Sequence, residues 1–122
     1  MGAQQTVLVV EDEPIIRFAI ADTLRDAGYQ VLEAANGDEA CHTLEMGLRV
    51  DLVVTDINMP GTLDGLTLTA HIKTKNPALP VLVVSSHLPD QIVFLGDAFL
   101  AKPCNYPVLV QKIEQFLVKR SS

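Results

Sequence analysis

Residues 7–14 read Val7-Leu8-Val9-Val10-Glu11-Asp12-Glu13-Pro14, four apolar residues followed at once by three acids and a proline. The apolar run is short, rich in β-branched residues and does not alternate with polar ones, which is the pattern of a strand buried on both faces. Leu52-Val53-Val54 and Val81-Leu82-Val83-Val84 repeat it, Phe99-Leu100-Ala101 resembles it, and Val31-Leu32 is a weaker fifth. Helical patterns lie between. Ile16, Ala19, Ile20, Leu24 and Ala27 step by threes and fours and end at Gly28, a suitable residue just past a helix end. Asn36-Gly37-Asp38-Glu39 is a turn entering a helix that runs to about Met46. Leu68 and Ile72 mark another before Asn76-Pro77, and Leu109, Ile113, Phe116 and Leu117 a last one, with Pro107 near its start. Strands alternating with helices give right-handed βαβ units and a parallel sheet covered on both sides. The expected fold is α/β: a doubly wound five-stranded parallel sheet in the flavodoxin-like order 2-1-3-4-5, whose site lies outside the carboxyl ends of the strands.

The 122 residues suit one domain, spanning 1–122 with its core at about 6–118. No low-complexity tract, repeat or linker divides them. Nine Lys and Arg against fifteen Asp and Glu leave a net charge of −6. A nucleic-acid surface needs clustered cations to displace counterions from phosphates, so this balance argues against one. Surplus carboxylates suit a hard divalent cation instead. Cys41 and Cys104 stand far apart with no metal or redox spacing. No apolar run approaches membrane-spanning length, and no secretory leader precedes the first strand. A cytoplasmic domain is expected. Met1-Gly2 through Thr6 fits a loose myristoylation pattern, but an irregular start before a strand explains it better.

The expected strand ends are polar. The first runs into Glu11-Asp12-Glu13, the third into Asp56, the fourth into Ser85-Ser86 and the fifth into Lys102-Pro103. In the proposed order, Asp12, Asp56, Ser85 and Lys102 converge on one crevice. Carboxylates gathered there repel one another unless a cation neutralises them. An oxygen-only donor set favours Mg2+, which keeps waters and stays open to a phosphate. A carboxylate beside that metal and a lysine is equipped for phosphoryl transfer, with the carboxylate as nucleophile. Glu13 is expected to cap the first helix. His42, His71 and His87 lie on different elements and read as surface residues, His87 alone bordering the site; Cys104 follows Lys102-Pro103 closely.

Five segments together resemble the response regulator receiver domains of two-component signalling. They are Val9 to Pro14, Val54-Thr55-Asp56-Ile57-Asn58-Met59-Pro60-Gly61, Asp64-Gly65, Val84-Ser85-Ser86 and Ala101-Lys102-Pro103, in the family's order across nearly the whole chain. The resemblance implies a phosphoacceptor domain, not an enzyme acting on outside metabolites. Asp56 would take a phosphoryl group from a histidine kinase or histidine phosphotransfer protein. Asp12 would bind Mg2+ directly, Glu11 through water, and Asn58 through its backbone carbonyl. Lys102 would pair with the phosphoryl group and Ser85 would move toward it. Phe99 would be the aromatic that switches rotamer, although a plain core strand residue fits its position equally.

Three departures from the family pattern stand out. Met59-Pro60-Gly61-Thr62-Leu63-Asp64-Gly65 is one residue longer than the usual loop, and Ser85 replaces a commoner threonine. Lys102 follows Ser85 by only 17 positions. The fourth helix, between strands 4 and 5, must therefore be short or absent, with only Pro89 to about Leu95 available for it. That trait is similar to a subset of stand-alone or hybrid-kinase-associated receivers, and it leaves open whether the region still switches. Two alternatives remain at this stage. One is a haloacid dehalogenase-like phosphohydrolase using Asp56 as nucleophile, opposed by Asn58 where a second acid is needed and by the lack of a cap domain. The other is a receiver-like interaction module that no longer switches.

Overall fold

The computed structural model describes residues 4–57, 59, 63–86, 96–103 and 105–121. The elements run β1 (Thr6–Val10), α1 (Pro14–Asp26), β2 (Gln30–Ala34), α2 (Gly37–Glu45), β3 (Leu52–Thr55), α3 (Gly65–Lys75), β4 (Val81–Ser85), β5 (Ala98–Ala101) and α4 (Tyr106–Ser121). The five strands form one parallel sheet in the order β2-β1-β3-β4-β5, as expected. The central strands β1, β3 and β4 are buried along their whole length, whereas β2 and β5 are mostly half-exposed edges. This explains the sequence pattern. A strand covered on both faces reads as a continuous apolar run, while an edge strand carries polar residues such as Gln30 and Glu33.

Successive side chains on each strand divide between two cores. Val7, Val9, Leu52, Val54, Leu82 and Val84 pack with Ile20 and Leu24 of α1 and with Leu109, Ile113 and Leu117 of α4. Leu8, Val10, Val53, Val81 and Val83 face Ala40 of α2 and Leu68 and Ile72 of α3. Helix ends follow the residue signals. Gly28 has φ +101°, and the Tyr29 N–H donates to Leu24 O at 3.1 Å beyond the C-cap Ala27. Asn36 Oδ1 accepts the Glu39 N–H at 2.8 Å while Glu39 Oε1 accepts the Ala35 N–H at 2.9 Å, a reciprocal cap on α2. Asp64 Oδ1 accepts the Thr67 N–H at 2.8 Å and caps α3. Glu13 occupies the N-cap position of α1, but its side chain makes no capping hydrogen bond; its N–H instead donates to Glu11 Oε2 at 3.1 Å. The expected capping role therefore passes to Glu11.

The segment expected to hold the short fourth helix, Pro89–Leu95, lies outside the described residues, as do Met1 to Ala3 of the myristoylation-like start. What ties β5 to the sheet is visible on its amino side. The Asp97 N–H donates to Val81 O at 2.8 Å, and Asp97 Oδ2 accepts both the Val81 N–H at 2.7 Å and Lys73 Nζ at 2.9 Å. Lys73 Nζ also donates to the carbonyls of Pro77 and Leu79, each at 3.0 Å. One carboxylate thus joins α3, β4 and β5 at the end of the sheet opposite the acids. Asp97→Ala leaves the Val81 N–H and the ammonium without that acceptor, and should lower stability by about 1–3 kcal/mol in urea denaturation. An unchanged midpoint would mean that the lock contributes nothing.

Candidate functional site

The parallel ladder places the polar residues. One step past β1, the Glu11 N–H donates to Ala34 O at 3.0 Å, and one step past β3 the Asp56 N–H donates to Val10 O at 3.1 Å. Ser85, buried at the end of β4, accepts the Lys102 N–H through its backbone carbonyl at 3.0 Å. Glu11, Asp12, Asp56 and Lys102 are thereby brought to one edge of the sheet. Glu11, Asp12 and Asp56 each offer a carboxylate oxygen within 4.8 Å of the others, the one such cluster among the described residues. Lys102 Nζ donates to Asp56 Oδ2 at 2.9 Å and to Glu11 Oε1 at 3.0 Å. Asp56 Oδ1 accepts the Ile57 N–H at 2.6 Å.

Glu11 and Asp56 are only 2% and 7% exposed. Two like charges about 5 Å apart repel by about 3 kcal/mol at an effective dielectric near 20. One ammonium offsets part of that among three carboxylates, so the cluster retains negative potential. Burial pushes the Glu11 carboxyl above the usual carboxylate range and the charge on Asp56 adds to this, against hydrogen bonds from Lys102 and the Glu13 N–H. Burial alone would pull the Lys102 ammonium down, but its hydrogen bonds to Asp56 and Glu11 outweigh burial and leave it raised. Lys102 is therefore firmly cationic. Among the described residues the donor set is oxygen-only, which fits a small hard cation such as Mg2+ and not the zinc or copper that nitrogen and sulfur donors select.

Phe99 is half-buried on β5, in register with Val83 and packed on the core beneath α2 and α3. By strand parity it shares a sheet face with Ser85. His42 and His71 are exposed on α2 and α3, away from the acids. Asn58, His87 and Cys104 lie outside the described residues.

Two features of the site escape a reading of residue types. The first is Gly65, whose N–H donates to Ile57 O at 2.8 Å. A Cβ there would overlap the Asp56 carbonyl oxygen and lie 2.7 Å from Ile57 Cα, so only glycine lets the α3 N-terminus press against the backbone that carries Asp56. The pair Asp64-Gly65 was its only trace in sequence. The second is Arg17, whose Nη1 donates to Glu11 O at 2.8 Å. Nothing in its spacing separates it from a solvated helix residue.

A doubly wound sheet with three acids and a lysine at its carboxyl edge defines a flavodoxin-like domain with a candidate cation site. The chain belongs to the response regulator receiver domain family, whose model matches residues 7–114. Members of this family are regulatory domains of two-component systems, and nothing in the comparisons favours a dehalogenase-like hydrolase. The chain is 37% identical over 120 residues to a cyclic di-GMP phosphodiesterase of Thermotoga maritima, covering 94% of this chain and 32% of that protein. It is 35% identical over 126 residues to the sensor kinase CckA of Brucella abortus, covering 98% of this chain and 13% of that one. It therefore spans about a third or less of these two relatives. Among solved structures it is similar to the response regulator TrrA of Thermotoga maritima in complex with Mg(2+)-BeF, with a TM-score of 0.85, 29% identity, and coverage of 93% of this chain and 99% of that one.

Gly65→Ala should force α3 away from β3. The expected result is destabilisation of about 1–3 kcal/mol by thermal denaturation, with the Asp56 and Ile57 amide resonances among the most shifted. Retention of both resonances would show that the close approach does not hold Asp56.

Proposed function

We propose that Asp56 is the phosphoacceptor of a two-component phosphorelay and that the described site is where transfer occurs. The observation that carries this is the convergence of the Glu11, Asp12 and Asp56 carboxylates within 4.8 Å of one another, with Lys102 ion-paired to Glu11 and Asp56. Glu11, Asp12 and Asp56 would hold Mg2+, with the Asn58 carbonyl as a further ligand. When bound, Mg2+ supplies positive charge against the oxygens that crowd together during transfer. An Asp56 oxygen attacks the phosphorus of a phosphohistidine; the P–N bond breaks, its electron pair returns to the imidazole, and an aspartyl phosphate forms. Lys102 turns its ammonium from Asp56 to the incoming phosphoryl oxygens. Hydrolysis later releases phosphate and restores the carboxylate.

The donor is a histidine kinase or histidine phosphotransfer protein. Ile15 and Phe18, 85% and 61% exposed and one turn apart at the start of α1, offer it an apolar foothold beside the acids. Ser85 and Phe99 would move inward once the phosphoryl group is in place, changing the β4–β5 surface that a downstream protein reads. We take the whole chain as one receiver domain acting in the cytoplasm on protein partners, with no nucleic-acid contact. Among the described residues no helix is long and apolar enough to cross a membrane.

Incubation with acetyl phosphate and Mg2+ should add about 80 Da, and Asp56→Asn or chelation should abolish the adduct. An adduct that persists in Asp56→Asn overturns the assignment. Lys102→Ala should still bind Mg2+ but lose the response of β4–β5 resonances to beryllofluoride. At ten times its Kd, Mg2+ should stabilise the fold by about 1.4 kcal/mol, raising Tm by about 5 °C. Asp12→Asn should remove most of that rise.

A further inference from the structure

Arg17 closes the first turn of α1, with its side chain only 20% exposed. Its Nη1 donates to the Glu11 carbonyl at 2.8 Å and its Nε to Glu33 Oε1 at 3.3 Å. Glu33, on the edge strand β2, also accepts Arg25 Nη2 at 3.1 Å through its second oxygen. The Glu11 carbonyl and the Asp12 N–H belong to one rigid peptide plane. A bond to that carbonyl therefore sets the direction in which the chain delivers Asp12 to the cluster. The Glu11 N–H is already tied to Ala34 O at 3.0 Å, and the Glu11 carboxylate to Lys102 and the Glu13 N–H. Arg17 supplies the remaining constraint on the segment that carries two of the three acids.

From this geometry, and resting on the metal-dependent function proposed above, we propose that Arg17 is a positioning residue for the cation site, with Glu33 as its anchor. The guanidinium, bound to the backbone carbonyl of Glu11, would if freed be drawn toward the neighbouring carboxylate cluster and compete with the metal. Glu33 prevents this by taking the Nε–H and leaving the rest of the fork aimed at a carbonyl. The same contact offsets the positive charge of Arg17, which would otherwise repel a divalent cation. The two opposing effects of Arg17, order and repulsion, are thus separated: order remains, and Glu33, shared with Arg25, offsets part of the charge.

The test is calorimetric titration of Mg2+ into the full chain, paired with acetyl phosphate labelling over a range of Mg2+ concentrations. Arg17→Met should raise the Mg2+ Kd about ten-fold, the scale seen when groups that orient metal ligands are removed. Half-saturating Mg2+ for labelling should shift by the same factor, with labelling at saturating Mg2+ kept within about two-fold, because ligand order and not the nucleophile is lost. Arg17→Lys, which can reach the carbonyl, should recover part of the affinity. Glu33→Leu, which keeps Arg17 but releases it, should also weaken Mg2+ binding. Arg25→Ala removes the other partner of Glu33 without touching Glu11 and should leave Kd unchanged. A wild-type Kd in Arg17→Met, or an equal loss in Arg25→Ala, overturns the positioning role. Should Arg17→Met fail to fold, Glu33→Leu decides alone, and a wild-type Kd there overturns the role as well. A wild-type chain that neither binds Mg2+ nor accepts phosphate refutes the underlying function instead, a result distinct from any difference between variants.

Discussion

The ammonium of Lys102, held between Asp56 and Glu11, is the contact on which the site depends. It joins residues 46 and 91 positions apart in the chain. A parallel sheet makes this possible, because every strand ends on the same edge and whatever follows it is delivered there. The cost is the placement of three carboxylates in a poorly solvated spot. Lys102 offsets part of that charge and leaves the cluster net negative, which suits a cation.

Rigid backbone contacts keep the acids from relaxing apart. Asp56 continues the ladder from β3 by donating to Val10 O, and α3 presses on it through the bare Cα of Gly65. On the other side Glu11 is bound at its N–H, its carbonyl and its carboxylate. Each tether is a backbone or polar hydrogen bond or a steric stop, whereas the apolar side chains supply most of the stability. The fold and the site are therefore separable: the two cores build the platform, and a few polar contacts aim the residues on it.

That separation accords with the range of relatives. A sensor kinase and a cyclic di-GMP phosphodiesterase carry similar segments as a small part of much longer chains. A module whose site is held by its own strand ends needs little from what surrounds it. The exposed apolar residues Ile15 and Phe18 lie on the first helix after the acids.

Strand order and the meeting of Glu11, Asp12, Asp56 and Lys102 at one edge were legible in the sequence, because burial on both faces writes itself as uninterrupted apolar runs. Charged residues directly after such runs must then emerge at one edge. Edge strands were fainter for the same reason, since half of each is exposed. What tertiary structure alone decided is which polar group touches which. Glu13 yields its capping role to the Glu11 carboxylate, Gly65 is needed because another backbone passes against it, and Arg17 matters because β2 sets Glu33 beside it. Such contacts depend on distances between elements far apart in the chain, and no local periodicity or residue preference records them.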